Sequence, residues 1–233
     1  MIEERRLVLR VAEATVTTDE YGGIDPITIT LDIIGSDLLL LLVEQPGQGT
    51  AFADMCSGLL APSAGLVQFL GSDWSRLGPD TSNALRGRIG RVFHAGGWIN
   101  QLTLLDNILL QQLHHTRDAA EYHNREASRL AQRFGLPGVP LGRPEEFAAP
   151  DLQRAACVRA FLGQPALILL EEPTRSLAHE SKARLINVIR EARDSGAAVV
   201  WITVDHALWQ DGSIPATRRY RWLGRRLIEV SKK

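Results

Sequence analysis

Residues 38–60 hold the densest candidate chemistry in the chain. An apolar run, Leu38 to Val43, turns through Glu44-Gln45-Pro46-Gly47-Gln48-Gly49 and continues as a helix-length segment from Thr50 to Leu60. A short apolar strand, a Gly-rich turn and a helix make the layout of a phosphate-binding P-loop, in which main-chain N–H groups and the helix N-terminus hold the anion. That chemistry also needs a Lys for the outer phosphates and a hydroxyl for Mg²⁺. Those two places hold Thr50 and Ala51. Thr50 supplies no cation and Ala51 no hydroxyl. Glu44 adds negative charge beside the pocket, while Gly47 and Gly49 are still suited to an anion nest. Two readings stay open: residual nucleotide binding through the nest, or a loop that persists only as a strand–helix connector. A single lost charge-assisted contact costs about 1.5–3 kcal/mol, and several are lost together, which favours the connector.

The elements that must position this loop are legible from periodicity. Leu7 to Val16 alternates as an edge strand should, and Ile27 to Ile33 as a second strand. Leu38–Val43 is apolar at every position, as expected of a strand buried on both faces of a parallel sheet. Two further runs of that kind, Ala166–Leu170 and Ala197–Ile202, flank a charged helix over 180–195 that Gly196 terminates. Strand, helix and strand in that order predict a doubly wound α/β core. Between about Asp106 and Leu162 there is no strand pattern. Residues 109–135 read as one helix, 137–150 as a Pro/Gly-rich connection and 152–162 as another helix, together a helical insertion in the core. The tail from Arg218 to Val230 reads as a basic hairpin turning at Gly224, solvated rather than a nucleic-acid site because aromatics are few.

Composition narrows the classes. The chain has 233 residues, 45% hydrophobic and 23% charged, enough for a substantial core. A net charge of −1 gives no global attraction to nucleic acid or anionic membrane. Cys56 and Cys157 fall in apolar helical patterns and read as buried reduced thiols rather than a disulfide or metal site. The charged start Met1-Ile2-Glu3-Glu4-Arg5-Arg6 is unlike a secretory leader, and no apolar run reaches the roughly 20 residues of a membrane span, so a cytosolic location is expected.

Taken in order, the motifs resemble those of the nucleotide-binding subunit of an ABC transporter over essentially the whole chain. Tyr21 stands where such subunits place the aromatic that stacks on adenine, and Glu44 to Phe52 occupies the P-loop, with Gly47, Gly49, Thr50, Ala51 and Phe52 as its nucleotide-side positions. Ile89 to His94 resembles the strand entering the Q-loop, with His94 in place of Gln. Leu102 to Ile108 looks like the following helix start. Ala148, Ala149 and Pro150 sit in the signature, followed by Gln153-Arg154 and Val158-Arg159-Ala160. Leu167 to Thr174 is similar to the Walker B strand and its exit, Ser176-Leu177-Ala178 to the D-loop with Ala178 for Asp, and Ile202 to Asp205 to the switch loop with Val204 for His.

The resemblance implies an α/β P-loop NTPase-like fold with an antiparallel β subdomain. It implies one nucleotide-binding domain over 1–233, with its helical subdomain near 95–162. Glu172 matches the general base, and Glu171 the carboxylate that would contact Mg²⁺, although Glu is one methylene longer than the usual Asp. Without the resemblance, these adjacent carboxylates would read rather as caps of a neighbouring helix. His94 reads as a ligand or as a neutral loop histidine. Val204 removes a polar γ-phosphate contact, and His206 is not expected to replace it. Ala148 has no hydroxyl and Pro150 no N–H for a partner's nucleotide, though Pro150 and Asp151 suit a helix start. ATP and Mg²⁺ are thus possible but weak cofactors, and none is equally consistent.

Because two such subunits share composite sites, neither a homodimer nor a heterodimer containing this chain has an intact one. The expected function is a pseudo-ATPase, a scaffold or regulatory subunit dimerising and docking on a transmembrane permease at the cytoplasmic face. Phe93 to Ile99 is similar to the segment after the Q-loop in MCE-type lipid-trafficking systems, where Trp98 would be core or an anchor on the membrane subunit. The alternatives are a hydrolysing ABC ATPase with unusual residues and a soluble ABC-like regulator without a transporter.

Overall fold

A computed structural model of the protein describes residues 6–18 and 23–230. In chain order the elements are β1 (Leu7–Thr18), β2 (Ile24–Ile34), β3 (Leu38–Leu42), α1 (Pro46–Cys56), β4 (Ala64–Phe69), β5 (Ser72–Asp73), α2 (Pro79–Arg86) and β6 (Ile89–Val92). Then follow α3 (Leu104–His115), α4 (Ala120–Arg133), α5 (Ala149–Phe161), β7 (Leu167–Glu171), α6 (His179–Asp194), β8 (Ala198–Thr203), α7 (His206–Gln210), β9 (Arg218–Leu223) and β10 (Arg226–Glu229).

The strands form two sheets. One is six-stranded in the order β10-β9-β3-β8-β7-β6, and β9, β3, β8, β7 and β6 run parallel. The other is antiparallel, in the order β2-β1-β4-β5. The Leu38–Leu42 run is fully buried because β3 faces a core on each side. Leu38, Leu40 and Leu42 pack with Ile108, Phe134, Phe161 and Leu185 from the helices. Leu39, Leu41 and Val43 pack with Phe52 and Met55 of α1 and with Ile29 and Phe69 of the antiparallel sheet. The period-two alternation of Cβ along β3 therefore joins both layers through one strand.

Four expectations change. β1 is not an edge strand, since β2 and β4 flank it. Residues 109–135 are not one helix. The Thr116 hydroxyl donates to the Gln112 carbonyl (2.9 Å) and lies 2.9 Å from His123 Nε2, closing α3 before α4 begins. α5 starts at Ala149 rather than Leu152, with Pro150 in its first turn, where a missing N–H costs nothing. The tail is the expected hairpin turning at Gly224, but its first strand is not solvated. β9 joins the main sheet beside β3, Trp222 is fully buried, and Arg219 donates to the carbonyls of Trp209, Asp211 and Ile214. Cys56 and Cys157 are free and buried, and burial pushes the Cys157 thiol up to about 12.

Candidate functional site

The Gly-rich turn is shorter than its sequence suggests. Gln45 is extended (φ −146°, ψ 150°) and α1 begins at once with Pro46. Gly47 and Gly49 therefore lie in the first turns of the helix. At Gly49 an added Cβ would come within 2.7 Å of Ile202 Cγ2, so the missing side chain serves close packing of α1 on β8. Gln48, 5% exposed, turns its side chain back into the loop. Its Oε1 accepts the N–H of Glu44 (2.8 Å) and of Gln45 (3.2 Å). Those amides face a carboxamide oxygen supplied by the helix itself, a relative of the capping box. Glu44 accepts the Gly224 N–H at 3.0 Å, tying the loop mouth to the β9–β10 turn. Ala51 and Phe52, expected near a ligand, are fully buried in the apolar cluster under the antiparallel sheet.

The acidic strand end is occupied from within. The Thr50 hydroxyl donates to Glu171 Oε2 at 2.6 Å. Arg91, from β6, donates through Nε to Glu171 Oε1 at 2.8 Å, and its Nη2 lies 2.8 Å from the same oxygen. Arg91 Nη1 also pairs with Asp54 of α1. The side chains of Glu171 and Arg91 are 3% and 6% exposed. Arg91 further lies over the Phe93 ring, 4.5 Å from its centroid. Charges this deep persist only when paired and hydrogen-bonded.

Glu172 sits next to this network with φ +47°, an uncommon backbone state for a non-glycine residue. Its carboxylate accepts the Val204 N–H and the Thr203 hydroxyl (3.2 Å). Burial raises its pKa, and those two hydrogen bonds work against the rise. Arg175 Nη1 donates to His94 Nε2 at 3.2 Å, so that nitrogen serves as an acceptor. At the start of α5, Ala148 and Ala149 are exposed and Asp151 pairs with Arg154 at 2.8 Å. Further along α5, Arg159 donates to the carbonyls of Gly97 (2.8 Å) and Gly96 (2.5 Å) and lies over the rings of Trp98 (4.3 Å) and Phe93 (5.3 Å). Burial brings its pKa down to about 10.

The fold thus joins Thr50 to Glu171, and Glu172 to the backbone of Val204. Tyr21 lies outside the described residues. Sequence reasoning missed Gln48, Arg91, Asp54 and Arg159. A Gln at the third position of a helix and an Arg inside the buried strand Ile89–Val92 were the available signals. A magnesium-bound triphosphate, which the loop layout implies, does not fit the residues as folded. The loop amides of Glu44 and Gln45 are taken by Gln48, the Glu171 carboxylate by Arg91 and Thr50, and Ala51 carries no hydroxyl.

Comparison with known proteins agrees with the fold. The family described as ABC transporter matches residues 37–175. The lipoprotein-releasing system ATP-binding protein LolD of Pseudomonas syringae pv. tomato is 30% identical over 192 residues, covering 81% of this chain and 82% of LolD. The phosphonates import ATP-binding protein PhnC 1 of Ruegeria sp. is 27% identical, covering 76% of this chain and 72% of PhnC 1. The dimeric structure of MJ0796, a bacterial ABC transporter cassette, superposes with a TM-score of 0.82 at 20% identity, over 97% of this chain and 100% of that one.

Proposed function

The chain belongs to the ABC transporter family, and from that premise we propose that it is a non-hydrolysing ATP-binding-type subunit, a scaffold or regulatory partner within a membrane transport complex. One observation carries the reading: Gln48 satisfies the loop amides of Glu44 and Gln45 that would otherwise face a phosphate. Thr50, at the place of the phosphate-binding Lys, spends its hydroxyl on Glu171. Glu172, at the base position, holds the switch backbone at Val204 rather than standing open to a water.

The role left is mechanical. A groove of about 520 Å³ runs between the end of α1, the exit of β6 and α3. Its lining includes Leu59, Phe93, Ile99 and Leu110, each an exposed large apolar residue, with His114 and Arg86 beside them. Such a patch suits an apolar segment of a membrane-embedded permease. Among the described residues no helix is long and apolar enough to cross a membrane, so attachment would come from that partner on the cytoplasmic face. The dimeric MJ0796 cassette supports pairing with a second ABC subunit, either another copy or a different chain. Similarity to LolD, and of Phe93–Ile99 to MCE-type systems, supports a lipid or lipid-modified cargo.

The test is affinity purification from solubilised membranes, with ATP turnover measured on whatever assembles. We expect a multi-span protein to co-purify, and turnover attributable to this chain far below the usual enzyme range of roughly 1–10³ s⁻¹. A chain that purifies alone, with turnover in that range abolished by Glu172→Gln, would contradict the reading.

A further inference from the structure

We propose that Arg91 is a tethered cation: its guanidinium supplies to Glu171, from within the chain, the positive charge that a divalent ion would bring, and so makes the site independent of metal. The inference deepens the non-hydrolysing reading by naming what occupies the metal position.

The geometry is specific. Three elements converge on the guanidinium: β6 carries Arg91, β7 ends in Glu171, and α1 presents Asp54. Nε donates to Glu171 Oε1 at 2.8 Å, Nη2 lies 2.8 Å from the same oxygen as an ion-pair contact only, and Nη1 is committed to Asp54. The remaining Glu171 oxygen, Oε2, takes the Thr50 hydroxyl at 2.6 Å. The Phe93 ring covers the guanidinium at 4.5 Å. Arginine stays protonated at all working pH, and its planar fork suits contact with two carboxylates at once. A divalent ion at Glu171 would have to displace that fork or lie against its charge, with little water to screen the repulsion. Nor is the Arg a neutral filler of space. A buried carboxylate beside a half-buried one requires a cation, and removing it leaves an oxygen-rich, negatively charged pocket of the kind that hard divalent ions occupy.

The test uses the full chain and Mn²⁺ as probe, without nucleotide, in chelator-treated buffer. The melting midpoint of the wild type should not respond to Mn²⁺, and paramagnetic resonance should find no bound ion. Arg91→Met should melt lower. It should then recover about 3–6 °C at a free Mn²⁺ concentration roughly ten times its Kd, with one ion bound per chain and that ion lost in Arg91→Met/Glu171→Gln. Should Arg91→Met fail to fold, the double variant decides: with the buried carboxylate neutralised it should fold again, and Arg91→Lys should fold without binding Mn²⁺. A double variant as crippled as the single one, an Arg91→Met chain that folds and ignores Mn²⁺, or a wild type that binds Mn²⁺ through Glu171, each overturns the proposal. These outcomes separate from the reading it deepens. Turnover in an assembled complex sinks the non-hydrolysing role, whereas an inert Arg91→Met with a silent wild type sinks only the tethered cation.

Discussion

The carboxylate of Glu172 accepts the main-chain N–H of Val204, fastening the end of β7 to the loop that leaves β8. Burial raises the pKa of this carboxyl, so the folded state binds its proton more tightly than the unfolded chain does. Stability contributed by Glu172 is therefore lost as pH rises from the ordinary carboxylate range through the raised folded value, and above that range the penalty is constant. Glu172→Gln keeps an acceptor for Val204 and carries no charge. It should be more stable than wild type at pH 7, with the difference narrowing as pH falls towards the ordinary carboxylate range. Melting curves of both proteins across that range check this, and a wild type that gains on the variant as pH rises would refute it.

Gln48 gives the second prediction. Gln48→Ala removes the acceptor for two loop amides and should lower stability by about 1–2 kcal/mol, read from urea unfolding. Water can reach the freed amides, because Glu44 and Gln45 are exposed. Opening them should not create affinity for ATP, since Thr50 supplies no cation and Arg91 still holds Glu171. A calorimetric titration showing ATP binding gained by Gln48→Ala would mean the plug alone had blocked the site.

Arg159 pins the segment that leads to the groove. Gly96 and Gly97 take positive φ (81° and 60°), and their carbonyls are held by the one guanidinium. Replacing Arg159 by Met keeps the apolar stem over Phe93 and Trp98 but removes both donors. Amide exchange over residues 95–99 should speed up by roughly 30–150-fold, the equivalent of losing about 2–3 kcal/mol of charge-assisted hydrogen bonding. Exchange elsewhere in β3 and β8 should change less. Uniform acceleration over the whole chain would assign Arg159 to global stability instead.

The groove itself is tested by Leu110, 47% exposed on α3. Leu110→Asp should leave the melting midpoint within the range of ordinary surface substitutions, about 0.5 kcal/mol. Co-purification with a membrane protein should be lost. Retained co-purification would move the docking surface elsewhere.

Much of the fold is legible in the residue pattern. The unbroken apolar stretches Leu38–Val43, Ala166–Leu170 and Ala197–Ile202 read as strands covered on both faces, and the strands they form are the centre of the parallel sheet. The missing Lys and hydroxyl at Thr50 and Ala51 needed no structure either, because a side chain's functional groups are a property of its type. The expected single helix over 109–135 failed for a local reason: the Thr116 hydroxyl ends α3 by a hydrogen bond that hydrophobic periodicity does not register.

What the sequence by itself determined, then, was the set of buried parallel strands with the helix between the last two, the family they resemble and the groups absent from the loop, since all of these follow from residue types and their spacing along one chain. Only the tertiary structure decided what fills the gap. Arg91 stands 37 residues from Asp54 and 80 from Glu171, and periodicity carries no information about which distant side chains share a burial site. That pairing arises because parallel β6 and β7 bring their C-terminal ends together under α1, and a charge buried there must find its partner among whatever side chains the fold delivers.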